Sequence, residues 1–240
     1  MENEIGKFIT KILSWIQFRL DTTKYFIDKP KFDYQPIPWV GIAEANIRGG
    51  ATTKRWNAIK KHVLSQDKSF KDIGCCVGYF CISATEELGL ISLGIDIDDR
   101  FLRISRYAVP ENSDGKCNFI KLRIDKKTVN YLPATDITLC FSIWHHWVSN
   151  YGLGDATLIL KSLWNSTNRV MFFESGQEEV KDEFNLPFPS DQKAKDWLCD
   201  YLAESLENSV VKSVGQFKAG DYHHYKIKNS QRTVFKISRK

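Results

Sequence analysis

The chain lacks any apolar run near the roughly 18 residues that a membrane-spanning helix needs, so no transmembrane segment is expected. It lacks the purely apolar stretch of a signal peptide as well, because Lys7, Lys11 and Arg19 interrupt the amphipathic N-terminus. Its six cysteines (Cys75, Cys76, Cys81, Cys117, Cys140, Cys199) have neither the spacing of a secreted disulfide framework nor that of a zinc site, and read as reduced, buried small hydrophobes. Four of the five histidines come as two adjacent pairs, His145-His146 and His223-His224, and neighbours on a helix or strand point apart, so no metal is expected. No internal repeat or low-complexity tract is present. These absences leave a soluble, cytoplasmic globular protein.

What is there fits that class. With 42% hydrophobic, 13% aromatic and 26% charged residues, the 240-residue chain can build one α/β domain plus an extension but not two full domains. The net charge of +5 is local: residues 1–65 hold 11 basic and 6 acidic side chains, whereas residues 66–240 hold 23 of each. The basic surplus therefore belongs to the first quarter.

Over residues 5–20, Ile5, Phe8, Ile9, Ile12, Leu13, Ile16 and Leu20 recur at steps of three and four, which predicts one amphipathic helix. Residues 28–50 are rich in Pro and Gly and read as an extended connector that covers something. Thr52 and Thr53 are candidate N-caps of a second helix with Trp56, Ile59 and Val63. Short apolar runs at 70–74, 91–96, 117–124, 137–141 and 170–174 then alternate with helical periods near 79–88, 99–108, 153–165 and 191–206. That alternation predicts a parallel sheet covered on both faces. The tail differs: 210–217 and 232–238 are two strands without a helix between them, hence an antiparallel pair at one edge. The expected architecture is a seven-stranded, Rossmann-like, mostly parallel sheet with an antiparallel C-terminal strand and an N-terminal helical extension. Its division is 1–50 for the helix and connector, a lid or docking segment, and 51–240 for the main domain.

The sharpest motif is Asp72-Ile73-Gly74-Cys75-Cys76-Val77-Gly78-Tyr79-Phe80, a strand leading through small residues into a helix. Such a turn brings backbone N–H groups to a ligand's polar end. Eighteen residues beyond Gly78 the next strand ends in Gly94-Ile95-Asp96-Ile97-Asp98, and a carboxylate there can accept hydrogen bonds from both ribose hydroxyls. Together the two pieces indicate an adenosine cofactor. The Gly-x-x-x-Gly spacing and the acid at Asp72 disfavour a pyrophosphate, while Asp72 can hold the ammonium of a methionine-like group, so S-adenosylmethionine is preferred to a nicotinamide.

These residues resemble the class I S-adenosylmethionine-dependent methyltransferases, over roughly residues 52–240. Asp72, Gly74 and Gly78 fall on the fixed positions of that family's first motif, and Cys76 stands where a glycine is usual. The resemblance implies cofactor binding by Asp72, Gly74, Cys75, Gly78, Tyr79, Phe80, Asp96 and Ile97, by Asp125 after strand three, and by Phe141 and Ser142 after strand four. It also implies a helix that lids the cofactor, with Arg55 pairing with the methionine carboxylate. Within the class, Ser142-Ile143-Trp144-His145-His146, Met171-Phe172-Phe173-Glu174 and the tail around Arg232-Thr233-Val234-Phe235 are similar to the domains that terminate O-antigen polysaccharide chains, and more distantly to tRNA wobble-uridine carboxymethyl-transfer enzymes.

His145 and His146 follow strand four at its carboxyl end, where ligands of open α/β sheets bind, so either is a candidate base or substrate orienter, or else a helix cap. Trp144 and Trp147 flank them as a candidate apolar or sugar-stacking wall. Glu174, closing strand five, is a candidate partner for a hydroxyl-rich acceptor. His223, His224 and Tyr225, with Lys226 and Arg232, belong to a loop placed to rim the site or to form a solvated hairpin tip. Three functions are carried forward: O-methylation of a glycan, phosphorylated glycan or small metabolite; methylation of RNA; or an adenosine-binding scaffold without activity. The N-terminal helix is a candidate contact for a partner protein or a membrane surface.

Overall fold

The computed structural model describes residues 2–28, 35–41, 51–176, 181–218 and 231–240. Seven strands, β1 (Ser69–Ile73), β2 (Ile91–Asp96), β3 (Cys117–Lys121), β4 (Thr135–Phe141), β5 (Thr167–Glu174), β6 (Ser209–Lys218) and β7 (Gln231–Arg239), form one sheet in the order β3-β2-β1-β4-β5-β7-β6. The first five are parallel; β7 pairs antiparallel with both β5 and β6. The helices are α1 (Glu2–Asp28), α2 (Thr52–Ile59), α3 (Tyr79–Leu88), α4 (Asp99–Ala108), α5 (Trp144–Asn165) and α6 (Ala194–Ser205). No helix among the described residues is long and apolar enough to cross a membrane.

The central strands carry apolar residues on both faces because both faces are covered. Phe70, Ile137, Leu139, Val170, Phe172 and Val234 face one core with residues of α2, α3 and α4. Ile73, Cys140, Met171, Phe173, Phe235 and Ile237 face the other with α5 and α6. The side chains alternate strictly between the two cores, as the pleat requires. Each fully buried aromatic such as Phe172 stabilises the sheet by roughly 1.5–3 kcal/mol.

Several boundaries differ from the sequence reading. Helix α5 starts at Trp144 rather than near residue 153 and bends at Gly152 (φ 78°, ψ 164°). Trp144, Trp147 and Val148 already have helical spacing, and the glycine only kinks it. β3 stops at Lys121, after which the Leu122 N–H donates to the Asp96 carbonyl (3.0 Å). The N-cap of α2 is Ala51, with both threonines inside the first turn. α1 runs to Asp28 and packs on α4: Phe18 stacks on Tyr107 (centroids 4.2 Å apart), and Asp21 accepts two hydrogen bonds from Arg103 (2.7 and 2.9 Å).

At the amino end of the sheet, Lys71 is fully buried, with no carboxylate partner among the described residues. Its ammonium donates to the Pro133 carbonyl (3.0 Å), the Ser166 carbonyl (2.9 Å) and Ser166 Oγ (2.6 Å), and burial pushes its pKa down to about 8.

Candidate active site

The carboxyl ends of β1, β2, β4 and β5 converge with the start of β7. After β1 the chain turns through Gly74 (φ +74°), Cys76 (φ +51°) and Gly78 (φ +81°) into α3. The N–H groups of Gly74 and Cys75 both donate to the Ile95 carbonyl (2.8 and 3.0 Å), which binds the turn to β2. Glycine is required at position 78: a Cβ there would stand 2.6 Å from the Phe119 ring, at a backbone angle unfavourable to side chains. Cys76 holds the same left-handed geometry at a cost of roughly 1–2 kcal/mol. Its N–H donates to Asp96 Oδ2 (2.8 Å) and its carbonyl accepts from Ser105 Oγ (3.1 Å), two bonds that hold it there. Burial raises the thiol pKa of Cys75 and of Cys76, so neither is a nucleophile.

Two carboxyls face this turn. Asp96 accepts the Cys76 N–H on one oxygen and the Asp98 N–H (2.9 Å) on the other, and burial holds its pKa above the ordinary carboxylate value. Ile97, beside it, is 51% exposed and offers an apolar surface next to that carboxyl. Asp72 is 2% exposed, and its Oδ2 has no hydrogen-bond partner among the described residues. Desolvation, and then the nearby Asp96 charge, push its pKa well up. A buried carboxyl left unpaired at the head of a glycine turn is suited to a cationic ligand group.

Around them, the Tyr79 ring lies edge-on to Phe80, and Phe80 edge-on to Phe141 (centroids 5.4 and 5.6 Å). Asp125 uses Oδ1 to take the N–H groups of Lys127 and Thr128 (2.8 and 2.9 Å), which lowers its pKa; it caps the turn following β3. Sequence reasoning missed Gln35: from the connector, its Oε1 accepts the Tyr79 N–H (3.2 Å), capping α3, while Trp39 packs 5.8 Å from the Tyr79 ring. Nothing local to Gln35 signals a contact 44 residues away.

On the acceptor side a polar chain links four elements. Arg55 Nε donates to Glu174 Oε2 (2.6 Å), Ser142 Oγ donates to Glu174 Oε1 (3.4 Å), and Arg232 Nη1 donates to Ser142 Oγ (2.9 Å). Ser142 has a left-handed backbone (φ +54°), and its N–H donates to the Glu174 carbonyl (2.9 Å). Arg55 and Glu174, expected at the cofactor and the acceptor respectively, instead bind each other, both buried; neither desolvated charge can be left single.

His145 is buried, and its Nδ1 accepts the Gly176 N–H (3.1 Å). In the neutral ring the proton is therefore on Nε2, so His145 is a donor and not a base at that atom. Desolvation, then His146 and Arg232, hold its pKa well below the usual value. His146 is exposed, its ring 4.4 Å from that of His145, with Phe184 edge-on to both rings. Desolvation and Arg232 lower its pKa as well, so it is neutral at pH 7.

The stacking wall expected of Trp144 and Trp147 is not formed. Both are buried in the core beneath α5, where Trp144 packs against Phe173, Trp197 and Tyr201 and its Nε1–H donates to Tyr201 Oη (3.2 Å). The helix begins at residue 144, which turns these positions inward. His223, His224 and Tyr225 lie outside the described residues, while Lys218 and Gln231, which flank their loop, pair at the same end of the sheet as Glu174.

No family model matches the chain. The O-antigen chain terminator bifunctional methyltransferase/kinase WbdD of Escherichia coli is 25% identical over 144 residues, which is 59% of this chain and 20% of that protein. The chain thus spans about a fifth of the curated relative that it matches. A crystal structure of WbdD superposes with a TM-score of 0.62 at 22% identity, covering 86% of this chain and 44% of that one. Magnesium protoporphyrin IX methyltransferase from Synechocystis PCC 6803, solved with bound S-adenosylmethionine, superposes with a TM-score of 0.59 at 13% identity, covering 92% and 97%. Strand order, the glycine turn and these superpositions agree: the chain has the fold of the class I S-adenosylmethionine-dependent methyltransferases.

Proposed function

We propose that this chain is an S-adenosylmethionine-dependent methyltransferase that O-methylates a glycan, a phosphorylated glycan or a related small metabolite. The observation that carries the reading is the pair of carboxyls on the glycine turn, Asp72 buried with its Oδ2 unpaired among the described residues and Asp96 at the end of β2. The residues present fit the cofactor: Asp72 meets its ammonium, Asp96 its ribose hydroxyls, and Ile97 a face of its adenine. Bound there, the cofactor supplies an activated methyl group. What the protein adds is alignment and exclusion of water. His146, neutral and exposed beside Ser142 and Arg232, is the base that takes the acceptor's hydroxyl proton; for a phosphate oxygen no base is needed, and Arg232 balances its charge. His145 is a positioning residue that holds the chain after β5 through Gly176. Residues 1–50 serve as lid or docking segment for the domain at 51–240. The six unpaired cysteines support a reducing compartment such as the cytoplasm.

Thermal shift tests the cofactor. S-adenosylhomocysteine at about 100 times its dissociation constant stabilises by about 2.7 kcal/mol, while NAD has no effect; no shift with any adenosine ligand overturns the proposal. His146→Ala lowers turnover by about 100-fold or more at unchanged cofactor affinity.

A further inference from the structure

The two histidines in the first turn of α5 stand as one unit at the rim of the sheet. Helical side chains lean toward the amino end of their helix, and the first turn of α5 has no preceding turn to lie over, so both rings project past the helix end toward the carboxyl rim. Their centroids are 4.4 Å apart, and Phe184 stands edge-on to each (4.6 and 4.9 Å), closing one side. Arg232, whose Nη1 donates to Ser142 Oγ (2.9 Å), is near enough to both rings for its charge to lower their pKa, which puts the pair on the acceptor side of the site.

The two rings differ in what they offer. Nδ1 of His145 accepts the Gly176 N–H (3.1 Å), which fixes the proton on Nε2. That Nε2–H has no hydrogen-bond partner among the described residues, and it is not one of the buried unpaired atoms, so the exposed 4% of His145 includes it. His146 is exposed, and its ring has no hydrogen-bond partner among the described residues, so one nitrogen keeps a lone pair free for a proton. A fixed donor beside a free acceptor, on rings 4.4 Å apart, can reach two oxygens on adjacent carbons together, with hydrogen bonds of ordinary length, about 2.7–3.0 Å. A lone hydroxyl would leave the His145 N–H unmet once water is excluded, which is unfavourable.

We infer that His145 and His146 together select a vicinal diol as the acceptor, with His145 Nε2–H holding one oxygen while the neighbouring one is methylated. The inference rests on the methyltransferase reading and narrows it to one acceptor class. In the step, the hydroxyl oxygen facing His146 bonds to the methyl carbon, the carbon–sulfur bond breaks with its electron pair going to the sulfur, and the hydroxyl proton passes to His146 and on to water.

Catechol is the probe acceptor, because its two adjacent oxygens are equivalent; phenol and resorcinol lack an oxygen on the neighbouring carbon. With the full chain and S-adenosylmethionine, release of S-adenosylhomocysteine gives a kcat/KM for catechol about 100-fold or more above that for phenol or resorcinol. His145→Asn keeps an oxygen where Nδ1 stands, and with it the Gly176 bond, but places nothing at Nε2; it cuts the catechol-to-phenol ratio to about 10-fold or less at unchanged S-adenosylhomocysteine affinity by calorimetry. His145→Gln, whose amide N–H reaches the Nε2 position, restores most of the ratio, whereas a merely structural histidine would lower all three acceptors alike in both variants. A ratio that survives His145→Asn overturns the inference. So does a wild type that binds S-adenosylhomocysteine yet turns over phenol as fast as catechol, or turns over neither, a comparison that decides the matter without any variant. A wild type that binds no S-adenosylhomocysteine removes the methyltransferase reading itself, and the inference with it.

Discussion

Replacing Glu174 with Leu leaves the Arg55 guanidinium buried beside an apolar side chain, its 2.6 Å partner gone. The pair stands at side-chain exposures of 10% for Arg55 and 3% for Glu174, so water cannot substitute for the lost carboxylate. The Phe217 ring, 5.7 Å from the guanidinium, offsets little of the loss. Breaking a buried pair of this kind from one side costs about 3–5 kcal/mol. For a domain of this size each kcal/mol lowers the melting temperature by about 2–4 °C, so the fall is about 6–20 °C. Arg55→Met alone strands the carboxylate and falls by a similar amount. The double variant Arg55→Met/Glu174→Leu removes both charges and recovers most of the loss, to within about 1–2 kcal/mol of the wild type. Thermal melts of all four proteins, followed by circular dichroism, close the cycle, with an expected coupling of at least about 2 kcal/mol. Additive losses, or a Glu174→Leu protein as stable as the wild type, refute the claim that these charges exist for each other.

Other substitutions address the cofactor turn. Gly78→Ala forces its Cβ toward the Phe119 ring at φ +81°, so it loses about 2 kcal/mol or more and S-adenosylhomocysteine binding by calorimetry falls with it; wild-type stability refutes the steric argument. Asp72→Asn removes a carboxyl whose folded pKa is raised, so the wild-type group is favourable below its unfolded value and that benefit is lost as pH rises through the folded one. The variant without ligand therefore melts about 2–8 °C higher at about pH 8, equals the wild type at about pH 3, and binds S-adenosylhomocysteine more weakly; no pH dependence in the difference rejects the assignment.

The fold was legible because its signals are local. Strand runs such as Val170–Phe173, the glycine punctuation between β1 and α3, and the acid at the end of β2 each lie within a few residues of what they determine. Pairings across the chain were not. Arg55 and Glu174 are 119 residues apart, and each reads alone as a ligand-facing group until geometry shows the other beside it. The tryptophans failed for a related reason: Trp144 and Trp147 sit next to the histidines in sequence, and only the onset of α5 at residue 144 sends them inward while His146 stays outside. Gln35 gives no signal at all, since a lone glutamine in a connector has no pattern to read.

Lys71 gives the amino end of the sheet its mechanical character. Its ammonium, fixed by three oxygens, ties the segment before β4 to the one before β5. Arg239 fastens the carbonyls of Trp164 and Thr167 there, and Asp136 takes the N–H groups of Lys68 and Ser69. The amino edge is therefore tied across its strands by side-chain bonds, and its amides are expected to be among the slowest to exchange with solvent. At the opposite rim the chain from Arg55 through Glu174 and Ser142 to Arg232 ties the strand ends as well, so Asp72, Asp96 and His146 stand in a frame fastened from both ends.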